Sequence, residues 1–245
     1  MLSVAIVGAS GGIGAAMIEQ LAGRNDVGLI HATYHQSLAG GSVGSVAGYA
    51  SDTKVRWSKL DVRDDEQVQQ WMKSVGSADW LINCVGMLHD ATHGPEKSIS
   101  ALNVDHFSNS MAVNCLPTLL LGKYARNVLK HAEKGVFATI SARVGSIGDN
   151  RLGGWYSYRA SKAALNMALK CLSIEWSRTA KSLRVAALHP GTTDSRLSQP
   201  FQKNVPEGKL FSAEKTARLL IEQIERLHER KSGCFIAYDG EEIPW

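Results

Sequence analysis

No two of the four cysteines, Cys84, Cys115, Cys171 and Cys234, form a CxxC pair; isolated thiols of this kind read as buried groups in a reducing cytosol, so a cytoplasmic location is expected. His31 and His35, and likewise His89 and His93, stand in HxxxH spacing, but neither pair is read as belonging to a set with carboxylates suited to zinc, and no metal site is expected. No Lys/Arg run accompanies the mild net charge of +4, which argues against a nucleic-acid or acidic-membrane partner. No uninterrupted apolar run reaches membrane-spanning length. The first residues read as a strand rather than a basic segment followed by a long apolar core, so no secretory signal is expected.

What the sequence does contain is regular. Its 245 residues, 44% hydrophobic and 20% charged, suit one α/β domain. Strand-like stretches at residues 2–7, 28–34, 55–59, 79–86, 136–141, 183–189 and 234–237 alternate with helical ones. That alternation predicts a single doubly wound parallel sheet of about seven strands, flanked by helices. Residues 104–131 read as one long helix bent at Pro117, and residues 212–229 as an amphipathic helix with Ser212 as its cap. Residues 38–53, rich in Gly, Ser and Ala, are a loop or a poorly formed crossover with no assigned chemistry. Residues 192–211 look like a lid. Trp245 reads as exposed and free to dock on a partner subunit.

Four glycines stand in Gly8-Ala9-Ser10-Gly11-Gly12-Ile13-Gly14, between the first strand and a helix. Glycines allow a sharp turn and close approach to a pyrophosphate, and the helix N-terminus offers free N–H groups; the plainer alternative is a tight turn. Strand two ends at Tyr34, His35, Gln36 and Ser37 without an acid. An acid there would bind the ribose 2′-hydroxyl of NAD and repel a 2′-phosphate. Its absence favours NADP(H), with His35 and Ser37 nearest the phosphate; NAD(H) stays possible. Asp61, followed by Val62, either caps the next helix or accepts from an adenine amino group. Asn83-Cys84-Val85-Gly86 brings the backbone near a cofactor or is a plain strand exit. Asn114, a poor interior residue for a helix, stands at a kink that can free its side chain or carbonyl for a water. Tyr158 and Lys162 are four apart, hence on one helical face, and a nearby cation is expected to lower the phenol pKa. Trp155, Leu152, Met87, His89 and residues 192–208 either shape a pocket or are ordinary loop packing.

Taken together, Gly8 to Gly14, Asp61-Val62, Asn83 to Gly86, Asn114, Ser141 to Ser146, Tyr158 with Lys162, and Pro190-Gly191 resemble the short-chain dehydrogenase/reductase family over essentially the whole chain. The Gly145-Ser146-Ile147-Gly148-Asp149-Asn150 loop, the Tyr-Arg-x-Ser-Lys helix and the Asp-Gly-x-x-Ile-Pro-Trp ending look like its branch of C-factor proteins and sniffer-type carbonyl reductases. The resemblance implies a Rossmann fold and a self-associating chain, dimer or tetramer. It implies hydride transfer between a nicotinamide and a carbonyl or secondary alcohol substrate. Tyr158 would be the general acid/base, Lys162 would tune it and hold the ribose, Asn114 would hold a relay water, and a serine would bind the substrate oxygen. The cofactor would be held by Gly8, Ser10, Gly11, Gly12, Ile13, Gly14, Tyr34, His35, Asp61, Val62, Asn83, Val85, Gly86, Tyr158, Lys162, Pro190, Gly191, Thr192 and Thr193. The sequence departs from the family at its serine. Where the family shows Ser-Ser-x-x-Gly, this chain has Ser141-Ala142-Arg143-Val144-Gly145, leaving Ser141 or Ser146 as substitutes, Ser141 first. The glycine loop lacks the usual opening Thr and the basic residue of NADP users, and Asn-Cys-Val-Gly replaces Asn-Asn-Ala-Gly. These departures keep open an alternative: an NAD(P)-binding, C-factor-like signalling protein with weak catalysis.

Overall fold

The apolar run at the start of the chain forms strand β1 (Leu2–Val7), whose last four residues are buried, in a computed structural model that describes residues 1–36 and 52–245. Ser37 and the stretch suspected of hiding a short helix near 43–49 lie outside the described residues. β2 (Val27–Tyr34) and β4 (Trp80–Asn83) pair with β1 on its two sides. β3 (Val55–Lys59) extends the sheet beyond β2. On the other side follow β5 (Val136–Ile140), β6 (Arg184–His189) and, after a separate ribbon of β7 (Thr192–Thr193) with β8 (Leu210–Phe211), the edge strand β9 (Cys234–Ala237). The order is β3-β2-β1-β4-β5-β6-β9, with every pairing parallel. The winding reverses between β1 and β4. Open α/β sheets bind ligands at such a reversal, outside the carboxyl ends of the strands.

Side chains alternate along each strand, so the sheet feeds two cores. Val4, Ile6, Ile82 and Leu188 pack with Met17 and Leu21 of α1 (Gly12–Ala22) and Leu220 and Ile224 of α6 (Ala213–Glu225). Ala5, Val7, Leu81 and Phe137 face α2 (Asp65–Val75), α4 (Leu116–Leu129) and α5 (Tyr156–Thr179), meeting Trp71, Leu121, Leu165 and Trp176. Asp64 caps α2, its carboxylate accepting the Gln67 N–H at 3.1 Å. Ser212 caps α6, accepting the Lys215 N–H at 3.2 Å. None of the helices among the described residues is long and apolar enough to cross a membrane.

Several expectations change. The long helix at 104–131 is two, α3 (Val104–Asn114) and α4, broken at Cys115. Pro117 has no N–H to continue the ladder, and Thr118 N bonds Cys115 O rather than Asn114 O. α6 ends at Glu225, and residues 227–229 form a 3-10 turn. Trp245 lies tilted against Phe235, ring centres 5.6 Å apart, and under the Lys170 ammonium at 5.5 Å, so its ring docks within its own chain. The cysteines are free thiols, but only Cys115 is buried; Cys84 and Cys234 are half-buried and Cys171, on the outer side of α5, is exposed.

Candidate active site

The glycine turn works by close backbone packing. Gly8 has φ +76°, and a Cβ on it would stand 2.9 Å from Val85 Cγ2; one on Gly14 would stand 2.5 Å from Gly8 O. Any larger side chain would force β1 and the first turn of α1 apart. Gly11 caps α1 with no side chain in the way. The turn therefore presents a helix N-terminus to a crevice of about 590 Å³, lined by Ser10, Gly11, Gly12, Ile13, Gly14, His35 and Gln36. Such N-termini favour phosphate. A second cavity of about 230 Å³ continues from the first, sharing Ile13, Cys84, Gly86, Leu88, Ser195 and Leu197 with it. Val85, Ser141, Ala142, Tyr158, Lys162, Pro190, Gly191, Thr192 and Thr193 line this inner part.

The remaining sequence candidates stand behind the crevice wall. Asn83 is fully buried; its Oδ1 accepts the Val85 N–H at 3.1 Å and its Nδ2 donates to Thr118 Oγ1 at 3.3 Å. Asn114 is likewise buried. Its Oδ1 accepts the Met87 N–H at 2.7 Å, and its Nδ2 donates to Met87 O and Ser161 Oγ at 2.8 and 2.9 Å. The side chain is thus spent on the loop after β4; the kink leaves only its carbonyl displaced from the regular ladder. Tyr34 packs on Trp57 at 6.5 Å, and Val62 packs on the core behind α2. Asp61 chelates Arg63, at 2.9 and 2.8 Å. That bond, with His35 at 3.6 Å, holds its carboxyl well below the usual range.

Tyr158 and Lys162 face the inner cavity from α5 with 7% and 2% exposure. The ammonium lies 5.9 Å from the phenol ring centre and donates to Ile140 O at 3.0 Å. Their electrostatics correct the expectation of a lowered phenol. Burial alone raises Tyr158 above its ordinary value, and burial lowers Lys162 to about 8, against a smaller upward pull from Cys115. Desolvation is the leading cause for both groups. Gly145 fits only because it lacks a side chain, since a Cβ would stand 2.8 Å from Lys162 Cβ.

The two candidate serines both hold hydrogen bonds within the protein. Ser141 is on the α5 side of the sheet, and its hydroxyl donates to Asn166 Oδ1 at 2.7 Å. It lines the inner cavity, but its hydroxyl hydrogen is directed to Asn166 on α5. Ser146 donates to Pro244 O and accepts the Asp149 N–H at 3.0 Å, tying the loop to the tail. Of the pocket candidates, Trp155, Met87 and His89 line the cavities, while Leu152 is 91% exposed.

Three residues carry weight that sequence reasoning missed. Glu96 lies in the irregular loop after β4, yet its carboxylate accepts the Ser157 N–H at 3.1 Å and the Ser157 hydroxyl, and its carbonyl accepts the Trp155 N–H at 2.5 Å. It thereby caps α5. Trp155 holds φ +52° there, with its ring 6.3 Å from Tyr158 and 5.4 Å from Phe201. Phe201 sits in the 192–211 segment, which reads from sequence as a lid or pocket wall without this residue being singled out. His189, read only as the end of a strand, lines the inner cavity. In addition, Asp90, His93 and His106 bring one ligand-type atom each within 4.8 Å of one another, a grouping the sequence spacing did not reveal. Asp90 Oδ1 already accepts the Thr92 and His93 N–H groups, and Oδ2 meets His106 Nδ1 at 3.1 Å, so the group organises its loop.

The family described as short chain dehydrogenase matches residues 3–206. A 1-hydroxy-2-glutathionyl-2-methyl-3-butene dehydrogenase of Rhodococcus sp. strain AD45 is 33% identical over 147 residues, 60% of this chain and 62% of that protein. The C-signal protein of Myxococcus xanthus is 28% identical over 170 residues, 69% of this chain and 94% of that one. Among solved structures, the carbonyl reductase Sniffer of D. melanogaster superposes with a TM-score of 0.84 at 20% identity, covering 100% of both chains. An NADPH-bound carbonyl reductase from chicken fatty liver does so at 0.84 and 23%, covering 100% of this chain and 99% of that one.

Proposed function

Because the chain belongs to the short chain dehydrogenase family of oxidoreductases, we propose that it interconverts a carbonyl and a secondary alcohol with NADP(H), with Tyr158 as general acid/base. The observation that carries this reading is the pairing of Tyr158 with Lys162 in a cavity continuous with the glycine-turn crevice. The residues fit a dinucleotide: the glycine turn suits its pyrophosphate, and a side chain at Gly86 would stand 3.3 Å from Lys162 Nζ and 3.6 Å from Asn114 Oδ1, so that edge is open only to backbone. When bound, the reduced nicotinamide supplies the hydride. Tyr158, protonated at neutral pH because burial raises its pKa, gives its proton to the carbonyl oxygen, and the carbonyl is reduced to the alcohol. Lys162, with a water held on the displaced Asn114 carbonyl, passes a proton from solvent to the phenolate. Trp155 and Phe201 give the substrate an aromatic wall. NADP(H) is favoured because Tyr34, His35 and Gln36 offer no acid, and His35 is a donor at the crevice edge.

Residues 192–211 act as the lid in this reading: Ser195 stands over Gly12, 3.3 Å from where a Cβ would be. Turnover of 4-nitrobenzaldehyde with NADPH tests the proposal. The Tyr158→Phe variant should lose about 10²–10⁴-fold in kcat while NADPH fluorescence titration is unchanged. Retained activity in that variant overturns the assigned role. A second reading, cofactor binding with little turnover, draws on Ala142 and on the engaged hydroxyls of Ser141 and Ser146. Tight NADPH binding without turnover across a panel of aldehydes and ketones would support it instead.

A further inference from the structure

We propose that His189 donates the hydrogen bond to the substrate's carbonyl oxygen that Ala142 cannot give, an inference that rests on the carbonyl chemistry proposed above. β5 and β6 run side by side, and Ser141 N bonds Leu188 O at 2.8 Å, so residues 141–143 emerge beside the end of β6. The imidazole of His189 touches this turn directly: its Nδ1 accepts the Arg143 N–H at 3.2 Å. A backbone N–H only donates, so Nδ1 must be the bare nitrogen, and the neutral ring carries its hydrogen on Nε2. The ring is therefore held, by the residue next to Ala142, in the tautomer that offers a donor. It lines the same cavity as Ala142, Tyr158 and Lys162.

Charge supports the assignment. Burial and, secondarily, Arg143 push His189 down to about 4, against weaker upward pulls from Asp239 and Asp149. At neutral pH the ring stays uncharged. A fixed neutral donor costs no reorganisation as negative charge grows on the oxygen, which is how oxyanion donors lower a barrier. The serines nearest in sequence have spent their hydrogens elsewhere, Ser141 on Asn166 and Ser146 on Pro244. Thr193 shares its hydroxyl with Thr216, and Ser198 donates to Thr193 O.

The test uses the full chain, NADPH and 4-nitrobenzaldehyde, with wild type and Tyr158→Phe as references. His189→Ala should lower kcat about 10²–10³-fold, with NADPH affinity by fluorescence within about twofold of wild type. Adding Ala142→Ser to that variant should recover about tenfold or more of the lost kcat, a rescue that a merely structural defect at 189 would not allow. Independently of turnover, the ring ¹⁵N spectrum of His189 should show a protonated Nε2 and a bare Nδ1 across neutral pH. A His189→Ala variant as active as wild type, or a ring with its hydrogen on Nδ1, overturns the inference while leaving the carbonyl reading intact. A wild type that reduces no carbonyl overturns both.

Discussion

At the scale of single residues, burial displaces the two titrating groups of the site in opposite directions. The cost of holding Lys162 in a buried place is a stability that depends on pH. Its ordinary value is 10.5 and its folded value about 8, so between those values the unfolded chain binds the proton that the native one has shed. Stability of the ligand-free protein therefore rises with pH through that window, and the penalty is fully present below it. Lys162→Met removes the penalty. It should raise stability at neutral pH by about 1–3 kcal/mol in urea unfolding while abolishing turnover, the trade-off expected where function requires a buried charge. The rate has its own dependence. With Tyr158 kept protonated and Lys162 charged only below about 8, kcat/KM for NADPH-driven reduction should be flat through neutral pH and fall above that value. A reduction rate that climbs through the same range would contradict the roles given to this pair. The tyrosine and lysine were legible as a pair because their spacing alone puts them on one face. The direction of their shifts was not, because desolvation depends on what the rest of the chain lays over them.

At the scale of elements, helix α5 begins without a capping side chain of its own, since Trp155 stands at the cap in a left-handed conformation. Glu96 supplies the cap from a distant loop. Its burial opposes ionisation, but the bonds from Ser157 outweigh that and hold its carboxyl below the usual value. A group with a lowered folded pKa stabilises above its unfolded value of about 4.5 and loses that contribution as the pH falls further. Glu96→Ala should cost about 1–3 kcal/mol at neutral pH, the price of a buried N–H and hydroxyl without their charged acceptor. The difference from wild type in urea midpoint should shrink on acidification. α1 meets the opposite constraint, because its first turn tolerates no side chain at Gly14. Gly14→Ala should lower stability by about 1–3 kcal/mol, as overpacking does, and weaken NADPH binding in a fluorescence titration. The glycine turn could be read from sequence because its demands are local. The cap on α5 could not, because 61 positions separate Glu96 from Ser157.

At the scale of the whole molecule, the two cavities lie where the sheet reverses its winding, with the glycine turn, the β4 exit, the β5 loop and α5 around them. A ligand that bridges these elements stabilises the fold by mass action. NADPH at about 100 times its Kd should add about 2.7 kcal/mol, seen as a higher melting temperature, and NADH at the same concentration should add less. Equal or larger stabilisation by NADH would overturn the NADP(H) preference. The tail belongs to this scale too: Arg143 pairs with Glu241 at 2.6 Å, and Gly148 N bonds Trp245 O at 3.1 Å, so the loop beside Ala142 is braced by the end of the chain. The sequence by itself determined the strand–helix alternation, the glycine turn and the Tyr158–Lys162 face, because each follows from the period of one element or the sterics of one turn. Only the tertiary structure decided which hydroxyls are already committed, that Glu96 caps α5, and that His189 stands beside Ala142. Those depend on hydrogen bonds between segments brought together by sheet order, and no local period encodes them.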